Sequence, residues 1–267
     1  GLAQALLVVL VVWYFAFWIS RKWFGVDDEM STMIASSVSI CGVSAAIATC
    51  GTIRGNQKKL SYVISLVMVV AIPMLYIMPL LCDWILPFIF PNNDIAAQQV
   101  AGAWLGGTID TTAAVAASGA ILGDVAGDTA VIVKASQNVL LGVAAFCISL
   151  FWSVRDTNSV METKGVSIWH RFPKFVLGMV VASAVFSIWF KGGVEIDGTM
   201  IKYKALAKNF QGIFFSIAFV CIGLETRFKE IFTKENTPSL KAFLTAQTFN
   251  IIFTFIVAVV IFGFIAN

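Results

Sequence analysis

Between Leu60 and Phe90 the chain runs for 31 residues with one charged side chain, Asp83. A helix needs about 20 apolar residues to cross the hydrocarbon layer of a bilayer. This run therefore exceeds one crossing, and it makes lipid the solvent the fold must satisfy. Pro73, Pro79 and Pro87 interrupt it, which predicts a crossing to Leu81 followed by an interfacial piece around Asp83-Trp84. Seven more apolar segments share the chain: Leu2 to Ser20, Thr32 to Cys50, Ile95 to Leu122, Thr129 to Val154, Phe172 to Phe190, Asn209 to Leu224 and Leu240 to Ile265. Only 12% of the 267 residues are charged, about half the fraction of a soluble domain. Barrel strands would alternate apolar and polar over about ten residues, and these segments do not. The expectation is an all-α, polytopic helical membrane protein, with residues 1–267 as one transmembrane domain.

Two of the segments differ in kind. Ser36 to Thr49 has no large aromatic residue and is crowded with Ser, Gly, Ala and Thr. Residues 106–119, Gly-Gly-Thr-Ile-Asp-Thr-Thr-Ala-Ala-Val-Ala-Ala-Ser-Gly, repeat that character. Small residues let membrane helices approach closely, and tight packing alone accounts for many such stretches. They also suit a place where backbone leaves the helix at membrane depth, which requires cover by protein or by a cavity. The two stretches are expected to face each other across a substrate site. Ser39, Cys41, Gly42 and Ser44 would line one wall, and Gly107, Thr108, Asp110, Thr111 and Thr112 the other.

Charge at depth is costly and marks function. Asp110 lies roughly 12 residues from either end of its segment, about 18 Å along a helix. It is the expected coupling-ion residue, taking H+ or Na+. Lys134 falls about 9 Å into the next segment, where its stem reaches the surface. Asp124 and Asp128, read as an acidic turn, are ordinary partners for it. However, Lys134, Gln137 and Asn138 share one helix face, and a polar face on a membrane helix looks inward. That face would supply positive charge and amides to a small anion. Glu225 and Arg227 read as interfacial.

Other chemistries find little support. The five cysteines are scattered without a CxxC spacing, so neither a disulfide framework nor a metal site is expected. The one histidine, His170, sits in a polar loop beside Trp169 and Arg171, which leaves no nucleophile–base pair for an enzyme. There is no phosphate-binding loop, no cofactor is expected, and a net charge of +3 does not point to nucleic acid. Gly1 opens almost directly into an apolar run without an initiator Met or a basic leader. That predicts a chain lacking its natural start.

Ser39-Ile40-Cys41-Gly42-Val43-Ser44-Ala45-Ala46-Ile47-Ala48-Thr49 resembles the YeiH family of bacterial membrane proteins. The likeness continues at Gly106-Gly107-Thr108, through Ile132-Val133-Lys134, and at Gly223-Leu224-Glu225-Thr226. It thus covers nearly the whole chain in order. Members of that family are longer at the N-terminus, so the resemblance is to about their last two-thirds. They are described as sulfate exporters and grouped with bile-acid and arsenite-type secondary transporters. The resemblance implies inverted repeats, broken or re-entrant helices, and a multi-pass location in the bacterial inner (cytoplasmic) membrane. It also implies a sulfate or sulfonate-like substrate. One branch has a His-Glu pair where Asp110-Thr111 stand here, so neither a substrate nor a coupling ion carries over between branches.

The combined reading is a secondary transporter moving a small anion, with H+ or Na+ coupling, the lipid bilayer as its surroundings and a homo-oligomer left open. An anion channel, or a membrane receptor or subunit without transport, are the alternatives. Topology has two solutions. If the segments around Cys41 and Asp110 both cross, Lys and Arg spread almost evenly over the two sides. If both turn back, Arg21, Lys22, Arg54, Lys58 and Lys59 gather on one side, as cytoplasmic loops require. The first of these segments, at about 19 residues, looks short for a hairpin.

Overall fold

The computed structural model of the chain describes residues 1–91, 93–155 and 236–265, with isolated positions and one short hairpin between 181 and 233. The chain divides into two compact units, Gly1–Phe172 with Arg227–Asn267, and Pro173–Thr226. In the second unit, β1 (Val194–Ile196) pairs antiparallel with β2 (Thr199–Ile201), a short hairpin that the all-α expectation did not include. The expectations for His170, Glu225 and Arg227 lie outside the described residues, as do most of segments 172–190 and 209–224.

The first unit is a helical membrane bundle. Among the described residues, five stretches are long and apolar enough to cross a membrane: Leu2–Lys22, Asp28–Ile53, Gln57–Ile89, Asp124–Trp152 and Thr237–Phe264. The second does not cross. It consists of α2 (Asp28–Ser36), a π-helical turn (Ser37–Cys41) and α3 (Gly42–Ile53), and its two ends meet. Lys59 Nζ, just past α3, donates to both Asp27 Oδ1 and Glu29 Oε2 at 2.8 Å. The Asn56 N–H donates to Glu29 Oε1 as well. The segment therefore enters, breaks at Cys41, and returns to the end where it began.

The break has a local cause. Ser37 and Ser39 hydroxyls donate to the carbonyls of Met33 and Ala35 at 2.7 Å. Such back-bonding competes with the helix ladder and favours bends and π-turns. Cys41 is then extended, at φ −156° and ψ 96°.

Next, α4 (Gln57–Ile89) carries the chain to the other end as one continuous helix of 33 residues. The interfacial break expected near Asp83 is absent. Prolines are tolerated in membrane helices because neighbouring groups satisfy the freed carbonyls. A second hairpin then enters from that opposite end: α5 (Asp94–Thr108), a break over residues 109–111, and α6 (Thr112–Leu122). Gly123, at φ +116°, turns the chain beside Gln98 of α5. This hairpin also ends where it began.

The following helix α7 (Asp124–Arg155) starts within the stretch that the sequence presented as an acidic turn. Asp124 sits in its first turn, where the positive end of the helix dipole favours a carboxylate. Gly102 and Gly106 of α5 face the α7 carbonyls of Ala126 and Ala130 with no room for a Cβ. That is close backbone packing of the kind that holds helices together in lipid.

The last described helix, α8 (Thr237–Ala258), continues as a π-helix over Val259–Ile265. It starts at the end of the first hairpin, where Tyr62 Oη donates to the Asn236 carbonyl at 3.1 Å. It finishes beside Phe90 at the other end. The helix α1 (Leu2–Lys22) lies along it, with Phe15 stacked on Phe249 at 3.8 Å. Among the described residues, two of the three apolar clusters take the two ends of the bundle. One surrounds Met33, Val63, Leu66 and Phe243 near the first hairpin; the other surrounds Met78, Leu105, Ile109 and Val133 near the second. Between them the hairpin tips meet.

Candidate functional site

The tips of the two hairpins touch through backbone. The Gly42 N–H donates to the Asp110 carbonyl at 2.8 Å, and Cys41 Sγ lies 3.9 Å from Thr112 Oγ1. A Cβ at Gly42 would overlap the Val67 side chain and crowd Asp110. Glycine is thus dictated by the approach of α4 and the second hairpin.

Each break leaves carbonyls at the C-terminal end of a half-helix without intrahelical partners. Side chains of α7 and α8 cap them. Lys134 Nζ donates to the Ile40 carbonyl at 2.8 Å and to Gln137 Oε1 at 3.1 Å. Gln137 Nε2 donates to the Gly107 carbonyl at 3.2 Å and to that of Ser39 at 3.5 Å. From α8, Gln247 Nε2 donates to the Thr108 carbonyl at 3.0 Å. Asn250 Nδ2 bridges the two hairpins, reaching Val38 O at 3.0 Å and Thr108 O at 3.5 Å. Thr254 Oγ1 in turn donates to Asn250 Oδ1 at 2.8 Å.

Lys134 is buried, at 2% exposure. The sequence left it between a surface pairing with Asp124 or Asp128 and an inward-looking face shared with Gln137 and Asn138. Because α7 begins at Asp124, Lys134 stands ten residues in, about 15 Å deep, beyond the reach of a snorkelling stem. Asp110 is 1% exposed and lies in the break between α5 and α6, not within a helix. Neither of its carboxylate oxygens has a partner at hydrogen-bond length among the described residues; the Gln247 side chain and the Lys134 charge face it. The ion pairs among the described residues are Arg21–Asp28, Lys59–Asp27 and Lys59–Glu29. All three lie at the end of the first hairpin.

The residues named from sequence thus gather at one junction, in different roles. Cys41, Gly42, Thr108, Asp110, Thr112, Lys134, Gln137 and Asn138 converge, with Asn138 Nδ2 donating to Thr112 Oγ1 at 3.3 Å. Gly107 contributes its carbonyl and packs against Thr254 and Gln4. Ser39 contributes a carbonyl, while its hydroxyl is spent on its own helix. Ser44 Oγ turns to the Cys41 carbonyl at 3.4 Å, and Thr111 is the N-cap of α6, accepting from the Ala114 N–H at 3.3 Å. Sequence reasoning missed Gln247, Asn250 and Thr254. Their spacing puts polar groups on one face of an apolar helix, which is the same signal that picked out Lys134, Gln137 and Asn138.

A family profile described as Conserved hypothetical protein 698 matches residues 1–242. The chain belongs to this family. Its curated members are the UPF0324 membrane proteins, the YeiH family of the sequence resemblance. A UPF0324 membrane protein of Rhodopirellula baltica is 37% identical over 273 residues, covering 98% of this chain and 48% of the relative. One from Nitratidesulfovibrio vulgaris is 37% identical over 244 residues, covering 88% of this chain and 40% of the relative. A more distant one, the UPF0324 membrane protein TauZ of Paracoccus denitrificans, is 26% identical over 240 residues, covering 88% of this chain and 63% of the relative. The chain spans about half the length of the first two and close to two-thirds of TauZ, the share that the resemblance implied. No solved structure matches it. Within the UPF0324 family, then, this chain is a multi-pass membrane protein with two hairpins meeting at a buried polar centre.

Proposed function

We propose that this chain forms the translocation centre of a secondary transporter for a small anion in the bacterial cytoplasmic membrane, coupled to a cation. The observation that carries the reading is the buried Lys134 Nζ at the junction of two broken hairpins. Two of its three donors are used on protein oxygens, which leaves one for a ligand. Beside it, α3 starts at Gly42 with no side-chain cap, so its first N–H groups and the positive end of its dipole face the same junction. Discontinuous helices entering from opposite ends are the pattern of inverted-repeat transporters, in which half-helix N-termini hold anionic groups near the midplane. The sulfate or sulfonate-like class comes from the family resemblance alone. The hairpin end carrying Arg21, Lys22, Arg54, Lys58 and Lys59 would be cytoplasmic, and the end carrying Asp94, Asp124 and Asp128 would face outward.

The test is a panel of small anions scored by thermal stability of the full-length protein, followed by counterflow of the stabilising anion in proteoliposomes. A ligand raises the apparent stability of the state it binds. Lys134→Met should lose the anion-dependent shift and the flux. Flux that does not saturate and shows no counterflow would make the protein a channel. No anion shift and no flux would make it a receptor or subunit.

A further inference from the structure

The polar centre is unbalanced in a specific way. Asp110 Oδ1 and Oδ2, Thr108 Oγ1 and Gln247 Oε1 are all buried oxygens without a hydrogen-bond partner among the described residues. The three residues are 1%, 1% and 3% exposed. They are neighbours: Thr108 and Asp110 flank Ile109 in the break, and Gln247 bonds the Thr108 carbonyl and faces Asp110. The donors nearby are already used. Gln247 Nε2 serves Thr108 O and Met74 Sδ, Asn250 Nδ2 serves Val38 O and Thr108 O, and Gln137 Nε2 serves Gly107 O and Ser39 O.

A buried carboxylate without a compensating group is among the most costly arrangements in a protein. One proton would neutralise the carboxyl and supply a single O–H donor, which serves one other oxygen. A small alkali cation takes several hard oxygens at once. The C-terminal end of α5 adds the negative end of a helix dipole at the same spot, as in transporters whose unwound half-helix ends hold sodium. One carboxylate suits a monovalent ion. Calcium would want six to eight oxygen ligands, and no group of three or more acidic, His or Cys side chains placed to hold a metal ion occurs among the described residues.

We infer that Thr108, Asp110 and Gln247 form a site for a dehydrated sodium ion, electrostatically coupled to the anion beside Lys134. With Asp110 ionised and Lys134 protonated the centre is neutral. A monovalent anion such as a sulfonate alone leaves it one charge negative and a sodium ion alone one charge positive, while together they keep it neutral; sulfate with one sodium ion leaves one negative charge instead of two. Each ligand therefore raises the affinity for the other, and by linkage it does so reciprocally. The purpose of this coupling rests on the transporter reading; the sodium site itself does not.

The experiment uses full-length protein in nanodiscs, with melting followed in NaCl, KCl, LiCl and choline chloride at equal ionic strength and fixed pH. Sodium should raise the melting temperature saturably, and potassium and choline should not. Asp110→Asn should abolish that shift, and Thr108→Val and Gln247→Leu should each raise the sodium midpoint tenfold or more. Asp110→Glu, which keeps the charge, should retain a sodium response with a moved midpoint. Lys134→Met should keep the sodium shift and lose the anion shift. Equal melting in all four salts, or a response to pH alone, overturns the inference. An anion shift without a sodium shift sinks the sodium site and leaves the transporter reading standing. A sodium shift without any anion shift or flux does the reverse.

Discussion

The backbone N–H of Gly42 donates to the backbone carbonyl of Asp110 at 2.8 Å, and this one bond joins two hairpins that enter the bundle from opposite ends. It consumes the first free N–H of α3 and the carbonyl of the residue that also carries the buried carboxylate. A displacement of either tip therefore moves the acid and the N-terminal end of α3 together. The contact depends on Gly42 because Val67 of α4 fills the place a side chain would need.

Gly42→Ala should accordingly separate the tips. Overpacking in a close-packed site costs about 1–3 kcal/mol, and the 2.8 Å bond to Asp110 is lost with it. The expected outcome is a lower melting temperature and loss of anion-dependent stabilisation. Unchanged melting together with unchanged anion response would show that Val67 yields and the approach is loose.

Labelling of single cysteines checks the two-hairpin topology. On a background without the five native cysteines, cysteines at Asp27 and Asn56 should react from the same side of the membrane. One at Asp94 should react from the other side. Reaction of the first two from opposite faces would mean that Asp28–Ile53 spans, contrary to the contacts of Glu29 and Lys59 with its two ends.

Much of this arrangement was legible before any coordinates. Small and hydroxyl-rich composition marked both breaks, and the depth of Asp110 marked the site. The hairpin around Cys41 looked too short because its first arm was sought only from Thr32. The helix actually begins at Asp28, capped by Asp27 accepting from the Met30 N–H at 3.1 Å, with Asp28 and Glu29 in its first turn. The same error hid the depth of Lys134, since Asp124 opens α7 rather than ending a turn. Prolines misled in the opposite direction, because α4 continues through all three. The α8 residues were overlooked amid Phe and Ile, although Gln247, Asn250 and Thr254 align on one face. Which carbonyl each amide would cap was not readable, for it depends on how two breaks meet across the bundle.

The end of the first hairpin should respond to acid. Burial pushes the Asp27 carboxyl up, but the hydrogen bond and charge of Lys59 and the Met30 N–H together hold it below its ordinary value of 3.8. A carboxyl depressed in the folded state stabilises it above the unfolded value, and that stability is lost as pH falls through the folded one. The melting difference between wild type and Asp27→Asn should therefore be constant through neutral pH and vanish below 3.8. A difference that grows on acidification would contradict the ion-paired state.

The strongest structural test concerns Asn250, fully buried at 0% exposure. Its amide donates to Val38 O in one hairpin and Thr108 O in the other, at 3.0 and 3.5 Å, and its carbonyl accepts from Thr254 Oγ1 at 2.8 Å. Asn250→Leu keeps the branched, four-atom shape of the side chain and removes every one of these bonds. Interhelical hydrogen bonds in membranes average only about 0.6 kcal/mol, because a helix unfolded within lipid finds other partners. Here the Val38 carbonyl lies at a helix break and depends on side chains for its partner. The cost should therefore approach the about 1–3 kcal/mol of an unsatisfied buried group. Thr254→Val removes one bond and should cost about 0.6 kcal/mol alone. After Asn250→Leu, the same change should cost almost nothing, since its acceptor is already gone. A double-mutant cycle read by reversible unfolding in detergent measures that coupling. Strict additivity of the two substitutions, or a loss below about 0.5 kcal/mol for Asn250→Leu, would mean that the two breaks are held together by the Gly42 bond and the Lys134 face, and that α8 only packs against them.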